Sequence, residues 1–153
     1  MKMKIRLLMP DDIPFITSTW LKTYRSKSTL AKKIMEGCYF AEHNQLINRA
    51  LMNGVTYVAC DVDEPDHVFG YLVGHNRRTA DYLHYVYVKS IFREKGIAKE
   101  LLKAFKKSDA LYNSHETLPR NLFSMLKLNY NRVIYNPYPF FNPNFFSEVS
   151  SES

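Results

Sequence analysis

Cysteine is scarce in this 153-residue chain, which has only Cys38 and Cys60. The two form no metal-ligand or redox spacing. They are read as reduced thiols, mostly buried, as free cysteines usually are. No metal site is expected. Long apolar runs are also missing: nothing approaches the ~18 residues of a membrane-spanning helix, so no membrane partner is expected. The opening, Met1 to Arg6, is charged and leads straight into a structured pattern. That argues against a secretory leader and makes the cytoplasm the expected location. There is no internal repeat, linker or low-complexity segment. Acidic residues are in deficit, with 15 Asp and Glu against 21 Lys and Arg, for a net charge of +6. Such a surface attracts polyanions, either nucleic acid or a phosphorylated small molecule. The basic residues are spread along the chain, so charge alone does not choose between the two.

What is present fits one domain with one core. The hydrophobic fraction is 46%, and the rings are abundant, with 11 Tyr and 10 Phe. Met3 to Met9 alternates as a first strand. Pro10-Asp11-Asp12 supplies a helix start with a carboxylate at the cap, and Ile13, Ile16, Trp20 and Tyr24 follow at helical spacing. A short basic helix is predicted from Ser28 to Glu36, stopped by Gly37. Another runs from Glu42 to Asn53, with Leu46, Ile47, Ala50 and Leu51 on its apolar face. Val55 to Val62 and Val68 to Val73 read as a hairpin around Asp63-Glu64-Pro65-Asp66.

Tyr82 to Val88 is the strongest strand. Alternation puts His84, Val86 and Val88 on one face and Leu83, Tyr85 and Tyr87 on the other. A helix from Gly96 to about Lys107 buries Ile97, Leu101, Leu102, Ala104 and Phe105. A strand over Ala110 to Ser114, a helix over Leu118 to Leu128, and strands over Arg132 to Tyr135 and Pro139 to Phe141 complete the expected order. The ring-rich end, from Tyr130 to Phe146, reads as a last hairpin covering the core. If its rings were exposed they would instead mark a partner surface or a homodimer. The fold class is therefore α/β (α+β), a mixed, mostly antiparallel central sheet flanked by helices. One domain spans 1–146, and 147–153 is a fraying tail.

The stretch that carries chemistry is His84-Tyr85-Val86-Tyr87-Val88-Lys89-Ser90-Ile91-Phe92-Arg93-Glu94-Lys95-Gly96-Ile97-Ala98. It is a strand, a basic loop with one glycine, and a helix start. Such a loop turns successive backbone N–H groups toward one point. Those donors and the helix dipole bind an anion, typically phosphate. Gly96 lets the backbone approach a ligand with no Cβ in the way, and Arg93 and Lys95 add positive charge.

Arg93-Glu94-Lys95-Gly96-Ile97-Ala98 resembles the pyrophosphate loop of the GCN5-related N-acetyltransferase (GNAT) superfamily, Q/R-x-x-G-x-G/A. The strand ending at Val88, the Asp11-Asp12-Ile13 opening and the Val55–Val73 hairpin fall where that family has them. The resemblance covers about residues 3 to 130. It implies a single acyl-CoA N-acyltransferase domain that moves acetyl from acetyl-CoA to a primary amine by direct attack in a ternary complex. On that resemblance, backbone groups of Tyr87 and Val88 pair with the pantetheine arm, and N–H groups of Arg93, Glu94, Lys95, Gly96, Ile97 and Ala98 hold the pyrophosphate. The Val88 N–H faces the thioester oxygen.

His84 is the first candidate base for the amine, because an unperturbed imidazole titrates near pH ~6.5. The bland alternative is a hydrogen-bonded structural histidine. Asp81 and Tyr82 are weaker candidates. Many relatives protonate the leaving thiolate with a tyrosine, and here Met125 stands at that position. Ser124 and Tyr130 are the nearby substitutes, and Tyr112 is a more distant one. The acceptor stays open among a small amine, a protein amine and an aminoacyl-tRNA. The alternative function is a catalytically silent GNAT-fold module that binds protein or nucleic acid. Met125 favours that reading, and the intact loop opposes it.

Overall fold

The computed structural model describes residues 2–116, 130–142 and 144. Six strands form one sheet: β1 (Met3–Leu7), β2 (Val55–Asp61), β3 (Val68–Asn76), β4 (Asp81–Val88), β5 (Ala110–Asn113) and β6 (Arg132–Tyr135). They stand side by side in the order of the sequence. β1 to β4 pair antiparallel. β5 lies parallel to β4, and β6 parallel to β5. A parallel neighbour needs a crossover, and helix α4 (Ile97–Phe105) supplies it between β4 and β5. The expected class, a mixed and mostly antiparallel sheet flanked by helices, is what is found.

Helices α1 (Ile13–Lys27), α2 (Thr29–Lys33) and α3 (Glu36–Asn53) precede β2, and a single helical turn, α5 (Tyr138–Phe141), follows β6. α1 forms around the predicted stripe: Ile16, Trp20 and Tyr24 are buried. The Asp12 carboxylate does not cap α1. It accepts from the Met9 N–H at 2.8 Å and forks with Arg6 at 2.7 and 2.9 Å, tying β1 to the helix start.

Three expectations about elements are corrected. The basic helix stops at Lys33, and Gly37 lies inside the first turn of α3, which begins at Glu36 rather than Glu42. The reason is burial: Tyr39 and His43 extend the buried row of Ile47, Ala50 and Leu51, which outweighs the weak helix propensity of one glycine. Pro139 to Phe141 is helical rather than extended. Its turn drives Phe140, fully buried, against Trp20 and His115, so among the described residues no closing hairpin covers the core, and Tyr135, Tyr138 and Phe141 stay exposed. Of the cysteines, only Cys60 is buried; Cys38 is exposed. The helix expected over Leu118 to Leu128 and the tail beyond Phe145 lie outside the described residues.

A further correction bears on the site. β4 advances from Tyr85 to Leu83 while β3 advances from Val73 to Gly74. His84 is the extra residue of this β-bulge, and a bulge breaks alternation. Leu83 therefore packs with Val86 and Val88 on the α4 face, while Tyr85 and Tyr87 face α1 and α3. His84 does not share a face with Val88. Its ring lies beside Phe140, centroids 5.3 Å apart. Gly74 lets the bulge form close to α4: a Cβ there would come within 2.5 Å of the Phe105 ring and 2.7 Å of the Tyr82 carbonyl.

Candidate active site

β4 and β5 part company early. Their pairing covers Asp81 to Leu83 against Leu111 to Asn113. The Ser114 N–H still reaches the Leu83 carbonyl at 3.0 Å, but β4 then runs on to Val88 without β5 beside it. The Lys89 N–H donates to the Phe69 carbonyl at 2.9 Å. Given the register, Lys89–Phe69, Tyr87–Tyr71 and Tyr85–Val73 are the hydrogen-bonded pairs of the antiparallel ladder. The backbone groups of Val86 and Val88 therefore point away from β3, to the side β5 has left. Val88 lies on that open edge. Tyr87 does not: the register turns its backbone toward Tyr71, and Val86 takes its place on the open edge. The Val88 carbonyl accepts from Arg93 Nε at 3.0 Å, and this bond ties the following loop back to the strand.

That loop turns through Ser90–Phe92 and reaches α4 with two left-handed residues, Glu94 at φ 64° and Gly96 at φ 79°. Gly96 is the N-cap of α4, and a Cβ built on it would meet nothing within 4 Å. The space above it is open to a ligand, so the glycine serves conformation and approach rather than packing. Arg93, Glu94, Lys95 and Gly96 are exposed, Ala98 is half-buried, and Ile97 is buried and anchors the turn. The Glu100 N–H bonds back to the Gly96 carbonyl at 3.1 Å. The N–H groups ahead of it, at Ile97, Ala98 and Lys99, precede the first helical bond, as the opening donors of a helix do. The residues present fit a pyrophosphate.

The bulged His84 is fully buried, its Nδ1 3.2 Å from Ser114 Oγ. Burial, with His75 and Arg49 adding to it, pushes its pKa down to about 3. Burial disfavours the imidazolium that a base becomes when it takes an amine's proton. Ser114 continues to His115 Nδ1 at 2.9 Å, and His115 Nε2 lies 3.3 Å from His43 Nε2.

Tyr130 is buried and donates its hydroxyl to Asp81 Oδ2 at 2.7 Å. Burial first, and Asp81 second, raise its pKa well above the usual phenol value. Asp81 also accepts from Asn76 and from the Lys107 and Ser108 N–H groups. It locks the end of α4 to β4, a structural duty that removes it from the candidate bases. Tyr82 stacks on Tyr112, ring centroids 5.1 Å apart.

The model of the acetyltransferase (GNAT) family matches residues 20–112. The chain belongs to that family. No curated protein matches it in sequence. Among solved structures, a candidate acetyl transferase from Pyrococcus furiosus is 16% identical, over 88% of this chain and 82% of that one, with a TM-score of 0.55; that likeness shows the fold. A candidate acetyltransferase from Clostridium difficile 630 is 17% identical, over 99% and 88%, with a TM-score of 0.49. The PaiA N-acetyltransferase from Thermoplasma acidophilum in complex with coenzyme A is 17% identical, over 68% and 69%, with a TM-score of 0.46.

In this GNAT chain the structure brings Val88 and Arg93 to Ala98 together at one end of β4 and sets Tyr130 apart beside Asp81. Ser124 lies outside the described residues, as does Met125. Among the described residues no group of three or more His, Cys, Asp or Glu side chains could hold a metal ion, and no helix is long and apolar enough to cross a membrane. Ser114, His115 and His43 escaped the sequence reading. One signal was available for the first two: they sit just past the carboxyl end of a strand parallel to its neighbour, where open α/β sheets place ligand-binding groups.

Proposed function

We propose that this chain transfers acetyl from acetyl-CoA to a primary amine, the amine attacking the thioester while both are bound. The observation that carries the reading is the junction of the open β4 edge at Val86 and Val88 with the left-handed loop that opens α4. An extended pantetheine arm would add to that edge as a strand does, and the N–H groups from Arg93 to Ala98 would receive the pyrophosphate. The Val88 N–H would donate to the thioester oxygen as negative charge builds on it. Lys89, Arg93 and Lys95 supply attraction for the phosphates. Because His84 holds a proton poorly, the amine gives up its proton to water or reaches the thioester already neutral. The acceptor stays at the level of a primary amine: a small molecule, a protein amine or an aminoacyl-tRNA.

A second reading, a silent GNAT-fold binding module, has its own support in the acidity forced on His84 and the engagement of Tyr130 with Asp81. Calorimetric titration with acetyl-CoA, followed by mass spectrometry of candidate acceptors, separates the two. Saturable binding with an acetylated acceptor is the expected result. Binding without transfer to any acceptor class would favour the silent module. No binding at millimolar acetyl-CoA would remove the cradle assignment.

A further inference from the structure

α1 crosses the sheet over the point where β4 and β5 part. Near its start Phe15 packs on Tyr87, ring centroids 6.2 Å apart. Further on, Trp20 stacks on Tyr85 at 4.9 Å, and Thr23 Oγ1 bonds the Tyr85 hydroxyl. Tyr24 then reaches Glu116, just past β5, at 3.1 Å. The helix therefore passes from β4 to the end of β5, and the gap between the two strands lies under its last turns. Lys27 ends α1. It comes four residues after Thr23, so it shares that residue's side of the helix and lies about 6 Å further along.

Arg93 comes to the same place from the loop. Its Nε donates to the Val88 carbonyl on the open edge at 3.0 Å. Burial first raises the Tyr85 hydroxyl, to about 12, and the Arg93 charge works against that rise. Partial desolvation first, and the same guanidinium second, hold the Lys27 ammonium below the usual lysine value. Arg93 is thus within electrostatic reach of both side chains, and Lys27 stands beside the group tied to the open edge. Lys27 is exposed, and among the described residues no hydrogen bond or ion pair holds its ammonium. A like charge nearby favours the neutral amine, the form that attacks a thioester. Other lysines differ. Lys89 Nζ lies 5.1 Å from the centre of the Phe15 ring, a contact that favours the cation. Lys22, on the same helix, turns away into a groove beside Arg25, Lys32 and Phe40.

We propose that Lys27 is itself an acetyl acceptor: seated over the gap between β4 and β5, its amine takes the acetyl group of the bound thioester, so that the chain acetylates itself at the end of α1. This rests on the acetyltransferase reading for its donor, acetyl-CoA. The ammonium first gives one proton to water. The neutral amine attacks the thioester carbon, the C–N bond forms and the C–S bond breaks. The second proton passes from nitrogen to the departing thiolate, leaving an amide and free coenzyme A. Transfer also removes one of two like charges that repel each other at the gap.

Peptide mass spectrometry of the protein incubated alone with millimolar acetyl-CoA reads the modification lysine by lysine. Lys27 should gain acetyl at least about tenfold faster than Lys22, as an amine held beside its donor does. The fraction modified per unit time should not change when the protein is diluted. A rate that falls with dilution means that one copy acetylates another, and overturns self-transfer. With acetyl phosphate, a donor that has no pantetheine arm, the lead of Lys27 over Lys22 should shrink. An equal lead with both donors would show a reactive amine rather than a bound thioester, and overturns the proposal as well. Gly96→Val should remove the lead with acetyl-CoA; if that variant does not fold, the two wild-type comparisons still decide. Calorimetric binding of acetyl-CoA with Lys27 no faster than Lys22 would overturn the proposal and leave the acetyltransferase reading standing, because transfer to an added amine is measured separately. Absence of binding would remove that reading and the proposal together.

Discussion

Helix α4 meets the sheet through Ile97, Leu101, Leu102 and Phe105, which pack on Leu72, Leu83 and Leu111. On the other face, α1 and α3 bring Trp20, Tyr24, Tyr39 and Ile47 onto Tyr71 and Tyr85, and His43, His84 and His115 lie among those rings. The first face is held by apolar area and close packing, which do not depend on pH. The second buries polar atoms that must each find a partner: Thr19 bonds Tyr71, Thr23 bonds Tyr85, and Tyr39 reaches the Leu21 carbonyl. The difference divides the labour. The apolar face fixes the loop that would bind phosphate, and the ring-and-imidazole face buries titratable groups near the point where β4 and β5 separate.

Acid should expose this contrast most strongly. The folded values of His43 and His84, about 4 and about 3, lie below the unfolded value near 6.5, and His115 lies lower than 6.5 as well. Below that unfolded value the unfolded chain binds more protons. Stability is therefore complete above pH ~6.5 and is lost as pH falls toward the folded values, by up to about 1.4 kcal/mol per pH unit for each histidine. Urea midpoints measured from neutral pH to about pH 4 should fall steeply, and His43→Gln should flatten the slope by roughly one histidine's share. An unchanged slope would mean that His43 is not held neutral.

The apolar face predicts the next largest effect. Phe105→Ala removes a fully buried ring and should cost about 3–5 kcal/mol at any pH, read as a shift in the urea midpoint with no change in the acid slope. If the acid slope changed as well, the two faces would not be independent.

Gly96→Val is smaller in stability and larger in binding. The left-handed φ of 79° strains a branched residue by about 1–2 kcal/mol, while the side chain fills the space a pyrophosphate needs. Calorimetry should show acetyl-CoA binding lost in a protein that still melts cooperatively. Binding at wild-type affinity would show that the loop is not the cradle. The mildest test concerns the thiols. A thiol reagent should label Cys38 in the native protein and Cys60 only after denaturation, leaving acetyl-CoA binding unchanged.

Much of the fold could be read in the chain because its signals are local. Ile16, Trp20 and Tyr24 mark one helix face within a few turns, and the Val55–Val73 hairpin announces itself by two apolar runs around an acidic turn. Errors arose where a distant contact overruled a neighbour. Gly37 looked like a stop, yet α3 continues through it because Tyr39 and His43 find partners across the core. Pro139 to Phe141 looked extended, yet Phe140 curls into the gap between Trp20 and His115. At the site, the glycine turn into α4 was legible, while the open edge of β4 falls at Val86 and Val88 rather than at Tyr87, since the ladder's hydrogen-bond phase depends on the partner strand and not on the strand's own residues.

The sequence by itself determined the loop from Arg93 to Ala98, because a glycine that must adopt a left-handed turn before an apolar helical stripe encodes its own backbone conformation. It also determined the positive surface that suits a phosphorylated donor. Only the tertiary structure decided what His84 is. The bulge that turns it to the α1 and α3 face arises from its mismatch with Val73 and Gly74. Its burial beside Phe140 and Ser114 follows from β4–β5 pairing and the packing of the turn at Phe140. Burial disfavours an imidazole's charge whatever its neighbours in sequence are. Here the groups that bury His84 come from elements far from it in the chain and joined to it only by the fold.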